Sequence, residues 1–438
     1  MQFFSVSLTS PPTITMIDFT LTSHQIGIKE RAQKFSADVL RDAANVYNQH
    51  ADQKSRFQAT KPFYRSAVRD GLLKSLLPAP LGGSSEGFVD AVIAIEELFA
   101  VEPGVSLTLA ATVLGLLPLI LAGTPEQQGK YLEKFLSGEG EPLASLMHSE
   151  PEGTANWLQK ESPGLQTTAR PSGDGWIING EKLWTSNSAG WDNKGADLAC
   201  VVCRSITHES AEQDPETDPA SSIVILLVTR ETIAANNGDA YQVLGEPELM
   251  GHISTSGPHT RFADFYVPNE NLLAPPTKGA GIIERAFGIS AALVGAMATG
   301  IMRTAIKTAL DFVKSDTRGG SKPIISHQSV ADKLIDCKIR METSRLLTWK
   351  AAHGLDSQSL DWHVQLETAL QAKIYTSDVA VDCVLDAMKA VGMSSYSKKT
   401  RFPRLLEDVM CYSLFDGGNV GIRRRQLQLI MSSEAYST

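Results

Sequence analysis

Asp416 stands directly before Gly417-Gly418, and Arg423 follows seven residues later. A carboxylate can take a proton from carbon if it is held at reacting distance and shielded from bulk water. Seven residues is nearly two helical turns, so a helix containing both would set them near one face. The guanidinium could then keep the carboxylate ionised and oriented. The same residues also carry a plainer reading. Asp before Gly-Gly is a good helix N-cap, and Arg423 opens a basic triplet with Arg424 and Arg425. Spacing alone leaves both readings open.

Other chemistries find less support. The five cysteines are odd in number in a large chain, which argues against a disulfide scaffold. Cys200-Val-Val-Cys203 matches C-x-x-C but lies in an apolar run that reads as a strand. Residues three apart on a strand face opposite ways, so two buried thiols are expected, not a metal pair. No His/Cys/Asp/Glu grouping has metal-ligand spacing, so no metal is expected. No Gly-x-Gly-x-x-Gly follows a strand, so a Rossmann domain is not supported. Ser290 and Phe287 sit in a long apolar helix, where a small packing residue and a core aromatic are the plain readings. His327 alone reads as a satisfied core or interface histidine.

These residues need elements to hold them. At 438 residues the chain exceeds the roughly 250–300 at which one core stops growing, so two or three domains are expected. Apolar content of 42% and charged content of 20% suit a soluble globular protein. A net charge of -9 gives no global pull toward nucleic acid or anionic lipid, and neither is an expected partner. The pattern is helical from about Thr22 to Leu143, with Val89, Val92, Ile95 and Leu98 at helical spacing in Phe88–Phe99. Gly175–Gly180 and Glu181–Trp184 then read as two strands joined at an Asn-Gly turn. Leu198–Cys203, Ile223–Val228 and Phe262–Val267 read as further strands, and the acidic Ile206–Ser222 as a solvated loop. Ile282–Val313, Gln328–His353 and Leu360–Val391 are long helical segments, with Ile335, Ile339, Leu346 and Trp349 near one face of the second. A last helix is expected from about Gly418 to Ile430.

Gly104–Gly123 and Phe287–Met302 are uncharged. Pro118, several Ser and Thr residues and the lack of flanking anchors favour a buried helix for the first, and shortness does so for the second, so no membrane is expected. Residues 1–15 read as a disordered tail with neither a presequence nor a signal peptide. The C-terminal Tyr-Ser-Thr is not a peroxisomal signal, and a cytoplasmic location is expected.

The helix–strand–helix order and several local strings resemble the acyl-CoA dehydrogenase superfamily. The strings are Ser149-Glu-Pro151, Asn179-Gly-Glu-Lys-Leu-Trp-Thr-Ser186, Thr317-Arg-Gly319, His327-Gln328 and Phe415-Asp-Gly-Gly418. The resemblance runs from about Met16 to about Ser433. It implies an α+β fold with an N-terminal helical domain (16–144), a central β-barrel or sandwich domain (145–275) and a C-terminal four-helix-bundle domain (276–438). Ser145-Leu-Met-His-Ser-Glu-Pro151, Gly153-Thr-Ala-Asn-Trp157 and Leu414-Phe-Asp-Gly-Gly-Asn419 resemble the nitroalkane-oxidising branch. Dehydrogenases commonly read Thr-Glu-Pro-Gly-Ala-Gly-Ser-Asp where this chain has Ser149–Asn156, and Gln-x-x-Gly-Gly where it has Lys389–Met393. Many place a catalytic Glu before Gly-Thr where this chain has Asp416.

The resemblance implies FAD as cofactor, held between the β block and the C-terminal helices. Leu146, Met147, His148, Ser149, Thr154, Ala155, Asn156, Trp184, Thr185 and Ser186 would surround the ring and ribityl chain, with Ser186 near flavin N5. Leu414, Phe415, Asp416, Gly417 and Gly418 would close the site. Arg318 would meet the pyrophosphate. His327, Gln328, Lys389, Ala390, Val391, Gly392 and Met393 would complete the set, some on a neighbouring subunit's FAD, which implies at least a dimer; the resemblance suggests a homotetramer. Asp416 becomes the catalytic base, Arg423 its partner, Ser290 a hydrogen-bond donor to it, and Phe287 a wall of the substrate pocket.

The implied reaction takes a neutral nitroalkane and O2. Asp416 removes the α-proton, the nitronate attacks flavin N5, nitrite leaves, and an aldehyde or ketone and hydrogen peroxide follow. Two rivals share the fold: an acyl-CoA dehydrogenase feeding an electron-transfer flavoprotein, and an inactive scaffold.

Overall fold

The structure is a computed structural model that describes residues 19–206, 218–434 and 436. The expected tail at 1–15 and most of the acidic loop lie outside the described residues. Helices come first. Ser23–Asp38 begins with a capping box, in which Thr22 and Gln25 bond each other's backbone N–H groups. Phe88–Phe99 forms as its periodicity predicts. Pro103–Ala122 is capped by Glu102, whose carboxylate accepts from the N–H groups of Gly104 and Val105.

That helix and Gly279–Ser315 are apolar and long enough to cross a membrane by length and composition alone. In the most apolar stretch of each, 78% and 94% of residues are buried inside the protein. A helix apolar all round suits a core as well as a bilayer, and here both serve the core.

Among the described residues, eight strands form one mixed sheet: β1 (Ala144–Met147), β2 (Thr168–Ser172), β3 (Gly175–Lys182), β4 (Leu198–Ser205), β5 (Ile223–Thr229), β6 (Tyr241–Gly245), β7 (His259–Pro268) and β8 (Leu272–Ala274). The order is β6-β7-β3-β2-β4-β5-β8, with β1 parallel to β4. β4 and β5 are apolar without alternation because both faces are covered. Cys200, Val202, Ile225 and Leu227 join the helical core on one side. Val201, Cys203, Leu226 and Val228 pack with Trp176 and Phe265 on the other. Cys200 and Cys203 therefore face opposite ways, and both are free thiols.

The expected Asn-Gly hairpin is not there. β3 runs straight through Asn179 and Gly180, and pairs with β7 on both sides of a bulge. Gly180 has φ +139°, and a Cβ would meet Thr167 Cα at 2.5 Å. Its freedom thus serves a bulge and a close strand contact instead of a turn. Asn179 Oδ1 accepts from Asp264 N at 2.8 Å, tying the bulge to β7. The tight turn comes earlier, at Gly173-Asp174 between β2 and β3.

Three long helices follow: Gly279–Ser315, Gln328–Asp356 and Trp362–Val391. Of the expected stripe, Ile335, Ile339 and Leu346 point outward, at 51%, 59% and 44% exposure, while Trp349 is partly buried against the core. The buried side of that helix is Leu334, Cys337, Met341, Ser344 and Thr348, whose small and polar members masked it from a hydrophobicity reading. After Val391 the chain turns through Phe402–Val409 and Met410–Ser413 to reach Asp416.

Candidate active site

A cavity of about 640 Å³ lies where the sheet meets the helices. Leu146, His148 and Ser149 reach it from the end of β1, and Trp184 and Ser186 from beyond β3. Glu284, Phe287, Ser290 and Leu293 face it from the Gly279–Ser315 helix, and Leu414–Gly418 close it.

A buried ion pair anchors the strand side. Lys182 Nζ lies 2.8 Å from Glu150 Oε1, with side chains 0% and 2% exposed. It also donates to the carbonyls of His148 (3.1 Å) and Val202 (2.8 Å). Glu150 accepts from the N–H groups of Gln166 and Thr167. Burial pushes this carboxyl up, but Lys182 and those N–H groups outweigh it and hold the group below its ordinary value. Every charge is satisfied, and the backbone leading into the cavity at His148 is pinned.

Asp416 sits at φ +52° and Gly417 at +71°, a turn that only a residue without Cβ tolerates freely at the second position. Asp416 is neither inside a helix nor a cap. The chain instead forms a π-type turn, Asn419–Arg423, which runs into the helix Arg424–Met431. Arg423 folds back from that turn. Its Nε and Nη2 donate to the carbonyl of Asp416 at 2.9 and 2.6 Å, and its Nη1 donates to Gln426 Oε1 at 2.9 Å. Nη2 is 3.9 Å from the Asp416 carboxylate, and the two side chains are only 2% and 4% exposed. The guanidinium also lies over the Phe287 ring, 5.7 Å from its centroid.

Neither Asp416 carboxylate oxygen has a hydrogen-bond partner. Burial pushes its pKa above the ordinary carboxylate value, against the charges of Arg423 and Lys373 and a lesser pull from Ser290. Ser290 therefore faces the carboxylate, as expected, but without the full hydrogen bond that the resemblance implies. Arg423 is in turn lowered by burial, with Asp416 and Glu284 opposing. His148 is driven down to about 3 by burial, then by Lys182 and Arg423, so its ring is neutral. That ring stands edge-on to Trp157 and Phe287, and its Nε2 is unpartnered.

Not every expected ring contact lies here. Met147 turns to the opposite face of the sheet and packs with Ala169 and Trp176. Thr185 is buried and donates to Ser188. Asn156 accepts from Arg425, which also grips the Ala155 carbonyl. Thr154, Ala155, Trp184 and Ser186 do line the cavity, Trp184 at φ +64° and 54% exposed. Arg318 belongs to a second group outside the cavity lining. It stacks on Phe312 and donates to the Val391 carbonyl beside Gly392 and Ser394. His327 and Gln328 open the Gln328–Asp356 helix, Lys389 pairs with Asp386, Ala390 is buried, and Met393 is 79% exposed.

Sequence reasoning missed Glu284, Trp157, the 249–257 segment and Lys373. Lys373 had a readable signal, a lysine following Ala369, Leu370 and Ala372 on an apolar helical stripe.

The lining fits a flavin. It offers mostly apolar walls, the side chains of Ser149, Thr154 and Ser186, and unpartnered polar atoms on Asp416 and His148.

Residues 22–139 match the acyl-CoA dehydrogenase N-terminal domain, and 277–429 match the acyl-CoA dehydrogenase C-terminal domain. Nitroalkane oxidase of Fusarium oxysporum is 64% identical over 96% of this chain and 96% of that protein. Nitroalkane oxidase of Podospora anserina is 46% identical over 96% of this chain and 97% of that protein. A crystal structure of nitroalkane oxidase with spermine, a competitive inhibitor, matches at TM-score 0.95 and 64% identity, covering 96% of this chain and 98% of that one. Butyryl-CoA dehydrogenase from Megasphaera elsdenii matches at TM-score 0.78 and 24% identity over 94% and 98%, and shares the fold alone. With two such relatives along nearly its full length, the chain belongs to the nitroalkane oxidase family, FAD-dependent flavoproteins on the acyl-CoA dehydrogenase fold.

Proposed function

We propose that this protein oxidises neutral nitroalkanes with O2 and water to aldehydes or ketones, nitrite and hydrogen peroxide, and that Asp416 is the base. The observation that carries the reading is a carboxylate buried in the cavity with both oxygens unpartnered and a guanidinium 3.9 Å away. Most buried carboxylates are fully hydrogen-bonded. One left open is free to accept a proton from a bound ligand.

Asp416 takes the α-proton on a carboxylate oxygen and becomes neutral. A nitro group makes the carbon acid enough for a carboxylate to suffice, because it spreads the resulting charge over its oxygens. Arg423 favours the ionised form of Asp416 by charge, opposing burial, and holds the turn by bonding the Asp416 carbonyl. Ser290 faces the same carboxylate and favours its ionised form. Phe287 and Trp157 brace the neutral His148 and exclude water around the reacting carbon. FAD, held by residues such as Ser149, Thr154, Trp184 and Ser186, would supply an electrophilic N5 for the nitronate carbon and a two-electron carrier between substrate and O2. Relatives crystallised with 1-nitrohexane and with 1-nitrooctane support nitroalkanes as the substrate class.

We also infer a homotetramer. Its support is the outward apolar face of Ile335, Ile339 and Leu346, together with the Arg318–Met393 group outside the cavity lining. The test of function is nitrite release and oxygen uptake from nitroethane by the purified yellow protein. Absence of both, with flavin bleached by acyl-CoA instead, refutes the reading in favour of a dehydrogenase.

A further inference from the structure

Lys373 is fully buried on the Trp362–Val391 helix, an uncommon place for an ammonium. Its Nζ donates to the carbonyl of Tyr412 at 3.2 Å and to Asn419 Oδ1 at 2.9 Å. These two residues bracket the turn that carries Asp416. Asn419 completes the clamp, donating through Nδ2 to Ser377 Oγ at 2.9 Å and to Asp378 Oδ1 at 2.8 Å. Both ends of the Tyr412–Asn419 segment are thus fastened to one helix.

Arg423 does not do this. Its donors go to the Asp416 carbonyl, to Gln426 and to the Phe287 carbonyl on the Gly279–Ser315 helix, none of them on the Trp362–Val391 helix. A strained φ of +52° at a non-glycine persists only where the surroundings hold it from more than one side.

We propose that Lys373 is a positioning residue for the base: it staples the Asp416 turn to the Trp362–Val391 helix and supplies a second positive charge behind the carboxylate. The inference rests on Asp416 being the base. No hydrogen bond joins Lys373 to the Asp416 carboxylate, whose oxygens have no partner, so the charge acts without occupying the lone pairs that must take the proton. The groups around the pair are few. Arg423 and Ser290 face Asp416, the neutral His148 and Phe287 bound the same cavity, and Glu284 acts through Arg423. Around Lys373 stand Asp416, Arg423, Asp378 and Cys411. Burial pushes Lys373 down to about 8, with Asp416 opposing, so the charge is present at neutral pH.

The test is the pH dependence of kcat/KM for nitroethane in the holoenzyme, with preformed nitronate run in parallel. Lys373→Met removes the charge and the staple, and Lys373→Gln removes the charge but retains a donor. Both should move the acid limb for nitroethane up by about one pH unit. Turnover of nitronate should fall far less, because it needs no proton removed. Where Lys373→Met does not fold, Lys373→Gln carries the same test. A limb that stays in place overturns the proposal, whatever happens to the overall rate. Failure of the base reading looks different: Asp416→Asn would then still turn over nitroethane in a protein with native Lys373.

Discussion

Arg423 bonds the carbonyl of Asp416 and leaves its carboxylate free, 3.9 Å from Nη2. The two side chains lie together, but not along the shared helix that a spacing of seven residues suggested. The cation grips the backbone of the base and acts on the carboxylate through charge. A bidentate salt bridge would have engaged both carboxylate oxygens and left fewer lone pairs open to the proton.

Arg423→Lys should therefore cost more than a change of like for like. A lysine keeps the charge but loses the fork that holds the Asp416 carbonyl twice. kcat/KM for nitroethane should fall roughly 10²-fold, within the range that general-base catalysis contributes. Steady-state assays on nitroethane and on its nitronate check this, and an equal fall on both would place Arg423 outside proton transfer.

Gly417→Ala tests the turn. The added Cβ would meet Arg423 Cζ at 2.8 Å, and the residue would sit at φ +71°. The variant should lose about 1–3 kcal/mol of stability and most activity on neutral substrate, because the guanidinium must move. Thermal unfolding alongside the assay checks both. A variant with native Tm and native kcat/KM would show that the close contact is not needed.

The pH profile follows from burial. The folded-state pKa of Asp416 is raised, and a base must be ionised to act. kcat/KM for neutral nitroalkane should fall as pH drops through a value above the ordinary carboxylate value of about 3.9. The nitronate should show no such limb. The sign for stability is opposite to that of a salt-bridged acid. A raised value means the native state holds the proton more tightly, so Asp416's contribution is present below its unfolded pKa and lost as pH rises through the folded one. Asp416→Asn should thus be at least as stable as the native protein at neutral pH, which thermal unfolding measures.

The Glu150–Lys182 pair should behave as a structural anchor. Glu150→Ala leaves a buried ammonium unpaired and should cost about 3–5 kcal/mol. Combining it with Lys182→Met should recover part of that loss. A double-mutant cycle by denaturant unfolding checks the coupling. Additive losses would mean that the two charges do not depend on each other.

Much of this was readable from residue order. Phe88–Phe99 and the long C-terminal helices follow their periodicity, and β4 and β5 their apolar runs. Asp416 was marked by its local string, and Arg423, Ser290 and Phe287, named through the resemblance, line the same cavity. The failures have physical causes. Asn179-Gly180 carries hairpin chemistry, but the pairing of β3 with β7 overrides it and uses the glycine in a bulge. Ile335, Ile339 and Leu346 satisfy a helical stripe, but the side of that helix buried within one chain is made of smaller and more polar residues. The apolar stripe around Lys373 marks it as buried, but its partners, Tyr412 and Asn419, are 39 and 46 positions away, and no local pattern encodes that contact.

The most direct measurement is Asp416→Asn assayed on two substrates, neutral nitroethane and ethyl nitronate prepared beforehand, with flavin content confirmed from the absorption spectrum. Asparagine keeps the shape and cannot accept the proton. Turnover of nitroethane should all but vanish while nitronate is still oxidised at a rate near that of the native protein. Equal loss on both, or nitroethane oxidised at the native rate, would contradict the role assigned to this carboxylate.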